Sequence, residues 1–286
     1  MTVTDRALGA APALTHFAGR AGDHNDRAMV GSRLVAASFA ARFGAEPVVI
    51  GQPQPALSVG WKEELAAALP ALQEMSQRYE QLLGDGGVPV TALSRCAVAL
   101  ATLPRIAAHR PDAVVVWFDA HADINTPQTS ETGYLGGLAL SGPLGLWDSG
   151  LGSGLLPQNT ILVGARDIDP PEQHLIDRGD IELVEVGPGL PEELRRAIGG
   201  RPVYVHLDCD VLEPGTVPTD YLVPGGLSLA QLHQAAEVLA ESEIIGVEIG
   251  EFESPADAAP VAPLIDALEP VLQAVERPLN ANRAGA

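Results

Sequence analysis

Short apolar runs alternate along the chain with longer segments in which apolar positions return every three or four residues. The short runs cover 47–50, 88–93, 113–118, 160–163, 181–184, 202–207 and 244–249. They are rich in Val and Ile and lack in-out alternation, the pattern of strands buried on both faces. Segments 30–43, 62–83, 97–108, 192–198, 228–240 and 264–275 read as helices. In one of them Leu229, Leu232, Ala236 and Leu239 share a face, and Ser228 stands where an N-cap belongs. The alternation of strand and helix predicts a single three-layer α/β domain, a mostly parallel sheet flanked by helices. That domain is expected to span 1–286, with loosely ordered ends over 1–27 and 277–286.

Composition narrows the class. The 286 residues are 46% hydrophobic with a mean hydropathy of +0.13, ample apolar material for one core, which excludes a disordered chain. No stretch reaches the roughly 18 uninterrupted apolar residues of a membrane span. Seventeen Lys and Arg against 37 Asp and Glu give a formal charge of −20, a surface that repels phosphate backbones and anionic lipid. Nucleic acid and membranes are therefore not expected as partners. The two cysteines, Cys96 and Cys209, cannot build a disulfide framework, and the N-terminus is a poor secretion signal. A cytoplasmic protein with free thiols is expected.

The chemistry gathers after three of the apolar runs. The first is followed by Asp119-Ala120-His121-Ala122-Asp123, the second by Asp208-Cys209-Asp210 and the third by Gly250-Glu251-Phe252-Glu253. Ligands of open parallel sheets bind beyond the carboxyl ends of the strands. Massing Asp119, Asp123, Asp208 and Asp210 at that edge is strongly repulsive without a compensating cation. Four carboxylates and an imidazole suit two hard or borderline divalent ions, which together can ready a water molecule for attack. Taken singly, a D-x-D is more often a turn or a cap than a ligand. Two such clusters on separate strand ends point to metal.

At these residues the sequence resembles the arginase/agmatinase family of binuclear manganese amidinohydrolases, the ureohydrolases. Asp119 to Asp123 matches the family's D-A-H-x-D, Asp208-Cys209-Asp210 with Val211-Leu212-Glu213-Pro214 its D-x-D-x-x-D-P, with Glu at the third acidic place, and Glu251 its guanidinium-binding Glu. The resemblance implies an arginase-like fold and two Mn²⁺ ions. It implies that Asp119 and Asp208 bridge them, that Asp123 completes one shell, and that His121 and Asp210 complete the other. Asp123 would also handle the proton during breakdown of the substrate, and Glu251 would hold a small guanidino molecule. Asn125, Thr132 and Asp169 fall where arginases recognise an α-amino acid end, which argues against agmatine.

Two positions depart from the family pattern. Its early G-G-D-H-S motif, which supplies a further ligand His, should follow the 88–93 run, but Leu93-Ser94-Arg95-Cys96-Ala97 stands there. Cys96 thus occupies the ligand position, as a thiolate ligand or as a nearby thiol that leaves one ion weakly held. Gly22-Asp23-His24-Asn25 lies too early to replace the motif, so His24 reads as a decoy. In the substrate loop, Gly136 replaces a proton-shuttling His. Both changes occur in the branch of the family that hydrolyses Nω-hydroxy-L-arginine to L-ornithine and hydroxyurea for D-cycloserine biosynthesis. The Thr132-Gly133-Tyr134-Leu135-Gly136-Gly137 wording is shared with that branch.

An amidinohydrolase acting on that substrate is the leading expectation. Arginase, another ureohydrolase such as a formimidoylglutamase, and a metal-poor non-catalytic relative are the alternatives. Cys209 reads as buried, His206 as support behind the metal site or a core histidine, Trp147 as packing, and Glu253 as a substrate contact or a loop charge.

Overall fold

In the computed structural model, residues 12–254 and 260–277 are described. Eight strands form one parallel sheet: β1 Pro12–Phe17, β2 Val48–Ile50, β3 Val88–Ala92, β4 Val114–Phe118, β5 Thr160–Val163, β6 Glu182–Val184, β7 Val203–Asp208 and β8 Ile244–Gly250. Their order is β2-β1-β3-β8-β7-β4-β5-β6. The helices are α1 Arg27–Phe43, α2 Trp61–Gly84, α3 Ala99–His109, α4 Pro170–Asp177, α5 Leu190–Ile198, α6 Leu229–Leu239, α7 Ala262–Ala267 and α8 Glu269–Ala274. The α/β reading holds.

The strands read as continuous apolar runs because both faces of the sheet are covered. Along β4, Val114, Val116 and Phe118 point into one apolar core and Val115 and Trp117 into the other. Helices α1, α5, α6, α7 and α8 close the first core, and α2 and α3 close the second. At α6 the expected cap is present, with Ser228 Oγ accepting from the Gln231 backbone at 3.2 Å.

Three expectations need correction. Residues 12–27 are ordered: Pro12 opens β1, where a proline's missing N–H is tolerated. Thr15 and His16 interrupt the apolar run of β1, yet both are buried, and His16 Nε2 lies 3.0 Å from Ser32 Oγ. Residues 1–11 and 278–286 lie outside the described residues. The segment 264–275 is two helices rather than one, because Pro270 stands at the start of α8 and cannot continue α7. Finally, α4 fills the interval between β5 and β6 and was missing from the helical segments read from the pattern.

The strand order places the site. The chain passes from β1 to the edge strand β2 and back to β3 on one side, and from β4 outward to β5 and β6 on the other, so the topology reverses between β3 and β4. Strands β8 and β7 fill that interval, and the carboxyl ends of β3, β8, β7 and β4 open at the switch point where such sheets bind ligands. One close approach is needed there. A Cβ on Gly31 of α1 would lie 1.7 Å from the Phe252 carbonyl oxygen, so only glycine lets α1 reach the segment after β8.

Candidate metal and substrate site

Beyond these strand ends lies a cavity of about 190 Å³ lined by Cys96, His121, Asp123, Asp208, Asp210 and Glu251, among others. Side-chain donors gather in three overlapping sets: Asp119, His121 and Asp210; Cys96, Asp119 and Asp123; and Cys96, Asp208 and Glu251. Within each set the atoms lie within 4.8 Å of one another. Every residue nominated as a ligand from the sequence is thus brought to one place.

Backbone hydrogen bonds orient the carboxylates. Asp119 Oδ1 accepts from the His121 N–H at 2.7 Å, and Asp119 Oδ2 from the Trp117 indole at 2.9 Å. Asp210 Oδ1 accepts from the Ala120 N–H at 2.9 Å, tying the β7 end to the β4 end. Asp208 Oδ1 accepts from the Asp210 N–H at 2.7 Å. Asp123 and Glu251 have φ of 55° and 60°. For side chains other than glycine that region costs roughly 1–3 kcal/mol, and such strain concentrates at functional positions. The turn at Asp123 is held by its own carbonyl, which accepts from the N–H groups of Leu140 and Ser141.

Charge is poorly balanced here. Burial and the Asp210 charge push Asp119 up to about 6. Burial, followed by neighbouring carboxylates, also raises Asp123 and Asp208 well above the ordinary range. Burial opposes charge on His121, but Asp119 and Asp210 outweigh it and hold the imidazole protonated well above its usual value. Asp210 is held low because His121 overcomes the cost of burial. One imidazole cannot compensate four carboxylates, and the oxygen-rich donors fit divalent cations.

The β3 end differs. Cys96 Sγ lies 3.1 Å from Asp208 Oδ2 and 3.0 Å from His206 Nε2. On its other side His206 Nδ1 lies 2.7 Å from Glu248 Oε1, and its ring stacks on Trp117 at 3.5 Å between centroids. Tyr204 and Thr102 both donate to Glu248 Oε2. Burial, then the charges of Asp208 and Glu251, raise the Cys96 thiol well above its ordinary value. His206 is therefore a buried link to the cysteine and not an apolar core residue. Glu248 was missed in the sequence, although a carboxylate in the middle of the 244–249 apolar run is a visible signal.

At the far end, Asn125 Nδ2 donates to Asp169 Oδ2 at 2.8 Å, and both residues line the cavity. Thr132 sits exposed at the rim. Glu172, also unnoticed in the sequence, accepts from the backbone N–H groups of Ile124, Asn125 and Asp169, fastening the two loops that carry the pair. Its signal was the Asp169-x-x-Glu172 spacing of a capping box at the start of α4. Tyr134 fills the space at the missing shuttle: a Cβ on Gly136 would lie 2.3 Å from its ring. The Tyr134 hydroxyl is buried in the cavity wall and has no hydrogen-bond partner among the described residues.

Other marked residues lie outside the ligand sets. His24 is exposed and stacks on Tyr134 at 4.6 Å. Glu253 is buried against Arg95 and Arg27 and is absent from the cavity lining. Cys209 is fully buried in the core under α6, and Trp147 packs edge-on against Trp61.

The fold is that of the arginase family, whose sequence model matches residues 42–265, and the chain belongs to it. Members of that family are metal-dependent amidinohydrolases that act on small guanidino substrates. Among its relatives, the N(omega)-hydroxy-L-arginine amidinohydrolase of Streptomyces lavendulae is 38% identical over 260 residues, which cover 90% of this chain and 95% of that protein. An arginase of Bacillus caldovelox is 28% identical over 197 residues, 63% of this chain and 66% of the relative. The fold agrees with the solved B. caldovelox arginase at a TM-score of 0.76 and 22% identity, over 96% of this chain and all of that one (100%). No helix among the described residues is long and apolar enough to cross a membrane.

Proposed function

We propose that this chain hydrolyses Nω-hydroxy-L-arginine to L-ornithine and hydroxyurea. The observation that carries the reading is the meeting of Cys96, Asp208 and Glu251 in one donor set beside the Asp119/His121/Asp210 set. The 38% identity to a hydroxyarginine amidinohydrolase supports it.

Two divalent ions, Mn²⁺ by family resemblance, would be held by Cys96, Asp119, Asp123 and Asp208 on one side and by Asp119, Asp208, His121 and Asp210 on the other, and when bound would supply Lewis acidity and an activated water. Asn125 and Asp169 receive the α-amino acid end, with Thr132 at the rim. Glu251 accepts hydrogen bonds from the guanidine nitrogens and fixes the reacting carbon. Water adds to that carbon, the bond to the side-chain nitrogen breaks, and Asp123 passes the released proton to the departing amine. Ornithine leaves with that nitrogen, and the hydroxylamino fragment leaves as hydroxyurea. Arginine in the same pose would give urea.

The test is a substrate panel on purified protein loaded with Mn²⁺, with product identification by mass spectrometry. Hydroxyurea from the hydroxylated substrate should form faster than urea from arginine. The reverse preference reassigns the substrate within the family. A metal content below one ion per chain would instead support the non-catalytic alternative.

A further inference from the structure

Directly behind Glu251, on the side away from the cavity, lies a second guanidinium that belongs to the chain itself. Arg95 is fully buried, and its three nitrogens reach Asp23 Oδ1 at 2.9 Å, Glu251 Oε2 at 2.6 Å and Glu253 Oε1 at 2.9 Å. Glu251 Oε1 accepts from the Cys96 N–H at 2.9 Å. Each carboxylate oxygen of the residue that faces the substrate thus already holds one donor. The cage is itself braced: Asp23 accepts from the Ala21 N–H at 2.6 Å, and Glu253 also takes Arg27 and Asn25. The Gly22-Asp23-His24-Asn25 segment, idle as a metal motif, supplies two of these braces.

We propose that Arg95 makes this pocket selective for an uncharged guanidine end over a guanidinium; the inference rests on the hydroxyarginine reading and adds the physical basis of its selectivity. A free buried carboxylate binds a guanidinium through charge-assisted, fork-like hydrogen bonds. Here that counter-ion is built in and cannot leave. A second guanidinium would share one carboxylate with Arg95, at close range and away from bulk water, where like charges repel most. A neutral group offers N–H donors to the remaining lone pairs of Glu251 without that repulsion. An N-hydroxyguanidine is less basic than a guanidine, so it reaches the site uncharged far more readily. The unpartnered Tyr134 hydroxyl in the same wall offers a neutral contact to such a group.

L-citrulline and L-arginine test the idea, since they share a chain and differ at the terminus in charge. Their inhibition of substrate turnover, or calorimetric binding to the Mn²⁺-loaded wild-type protein, should show citrulline binding at least as tightly as arginine. In the double variant Arg95→Met with Asp23→Asn, which removes the cation together with one of its carboxylates, the preference should swing toward arginine by roughly tenfold or more. Arginine binding the wild-type protein more tightly than citrulline overturns the inference, and so does a folded double variant with an unchanged ratio. If the double variant does not fold, the wild-type comparison decides alone. Product identification is a separate measurement: hydroxyurea release with arginine outbinding citrulline sinks this inference and leaves the proposed function standing, whereas urea release in preference sinks the proposed function.

Discussion

At the β4/β7 end of the cleft Asp119 and Asp210 share a single imidazole, His121, whereas at the β3/β8 end Glu251 faces a guanidinium that the chain itself supplies. The first arrangement leaves carboxylates in excess and gains from cations brought in from outside. At the second, Glu251 already holds a buried cation, which it shares with Asp23 and Glu253, so a further cation must approach Arg95 at close range. On the function proposed above, metal binding and substrate selectivity would have separate physical seats on neighbouring strand ends. Substitutions at the two ends should fail in different ways.

The largest effect belongs to the first end. Asp119→Asn keeps the volume but removes a charge common to two donor sets, and the hydrogen bonds from Trp117 and His121 then meet an amide. Changing even an outer partner of a metal site costs roughly 10–100-fold, so a residue shared between both sets should cost more than about a hundredfold in kcat/KM. Metal analysis should show fewer bound ions, with circular dichroism unchanged. Retention of two ions and full activity would remove Asp119 from the ligand set.

Glu251→Gln should break the other end and leave the metal nearly untouched. The lost charge-assisted bonds amount to about 1.5–3 kcal/mol, or roughly 10–100-fold, expressed mainly in KM. Metal content within error of wild type, with raised KM, is the expected pair of results. Loss of an ion would make Glu251 a ligand and erase the contrast between the two ends.

Cys96 joins them, and its packing makes a sharper test. Its Sγ fits between His206 and Asp208, and an ideal Cβ on Gly250 would approach it to 3.4 Å. An imidazole there has no room, so Cys96→His alone should destabilise by about 1–3 kcal/mol. Adding His206→Ser opens space beside it. The double variant should recover part of that loss in a denaturant titration, a non-additive result expected only of residues in contact. Strict additivity would mean that the two do not share one packed position.

These ends were not equally legible in the sequence. The β4/β7 end was readable because its ligands are clustered within short D-x-H-x-D and D-x-D spacings after apolar runs, so strand geometry alone brings them together. Strand β1 was not, since Pro12, Thr15 and His16 break an apolar pattern whose burial depends on neighbours distant in the chain. Nor was the Arg95 cage, because Asp23 after β1 and the Glu251/Glu253 pair after β8 reach Arg95 from segments far apart in the chain. Gly136 stood out as a missing histidine, but only the packing shows that the Tyr134 ring fills the vacated volume. Local patterns predict which residues leave a strand end, while long-range pairing decides which of them neutralise one another.

The smallest effect lies at the far end of the cavity, where Glu172 fastens the loops that carry Asn125 and Asp169 and stands outside the metal-donor sets. Burial raises its carboxyl to about 7, against the help of three backbone N–H groups. The folded state therefore binds this proton more tightly than the unfolded chain, whose glutamates titrate near 4.5. Between those values the folded protein holds more protons, so the contribution of Glu172 to stability is full below about 4.5 and falls as pH rises through about 7. Glu172→Gln cannot ionise, but its amide turns a donor toward a backbone N–H, a constant cost of about 1 kcal/mol. In metal-free protein, urea titrations from pH 5 to 8 should therefore show the variant gaining on wild type by an amount on the order of 2 kcal/mol. Turnover should change only a few-fold, through KM for the amino acid end. A stability difference that does not vary with pH would mean that this carboxyl is already ionised in the fold at pH 5.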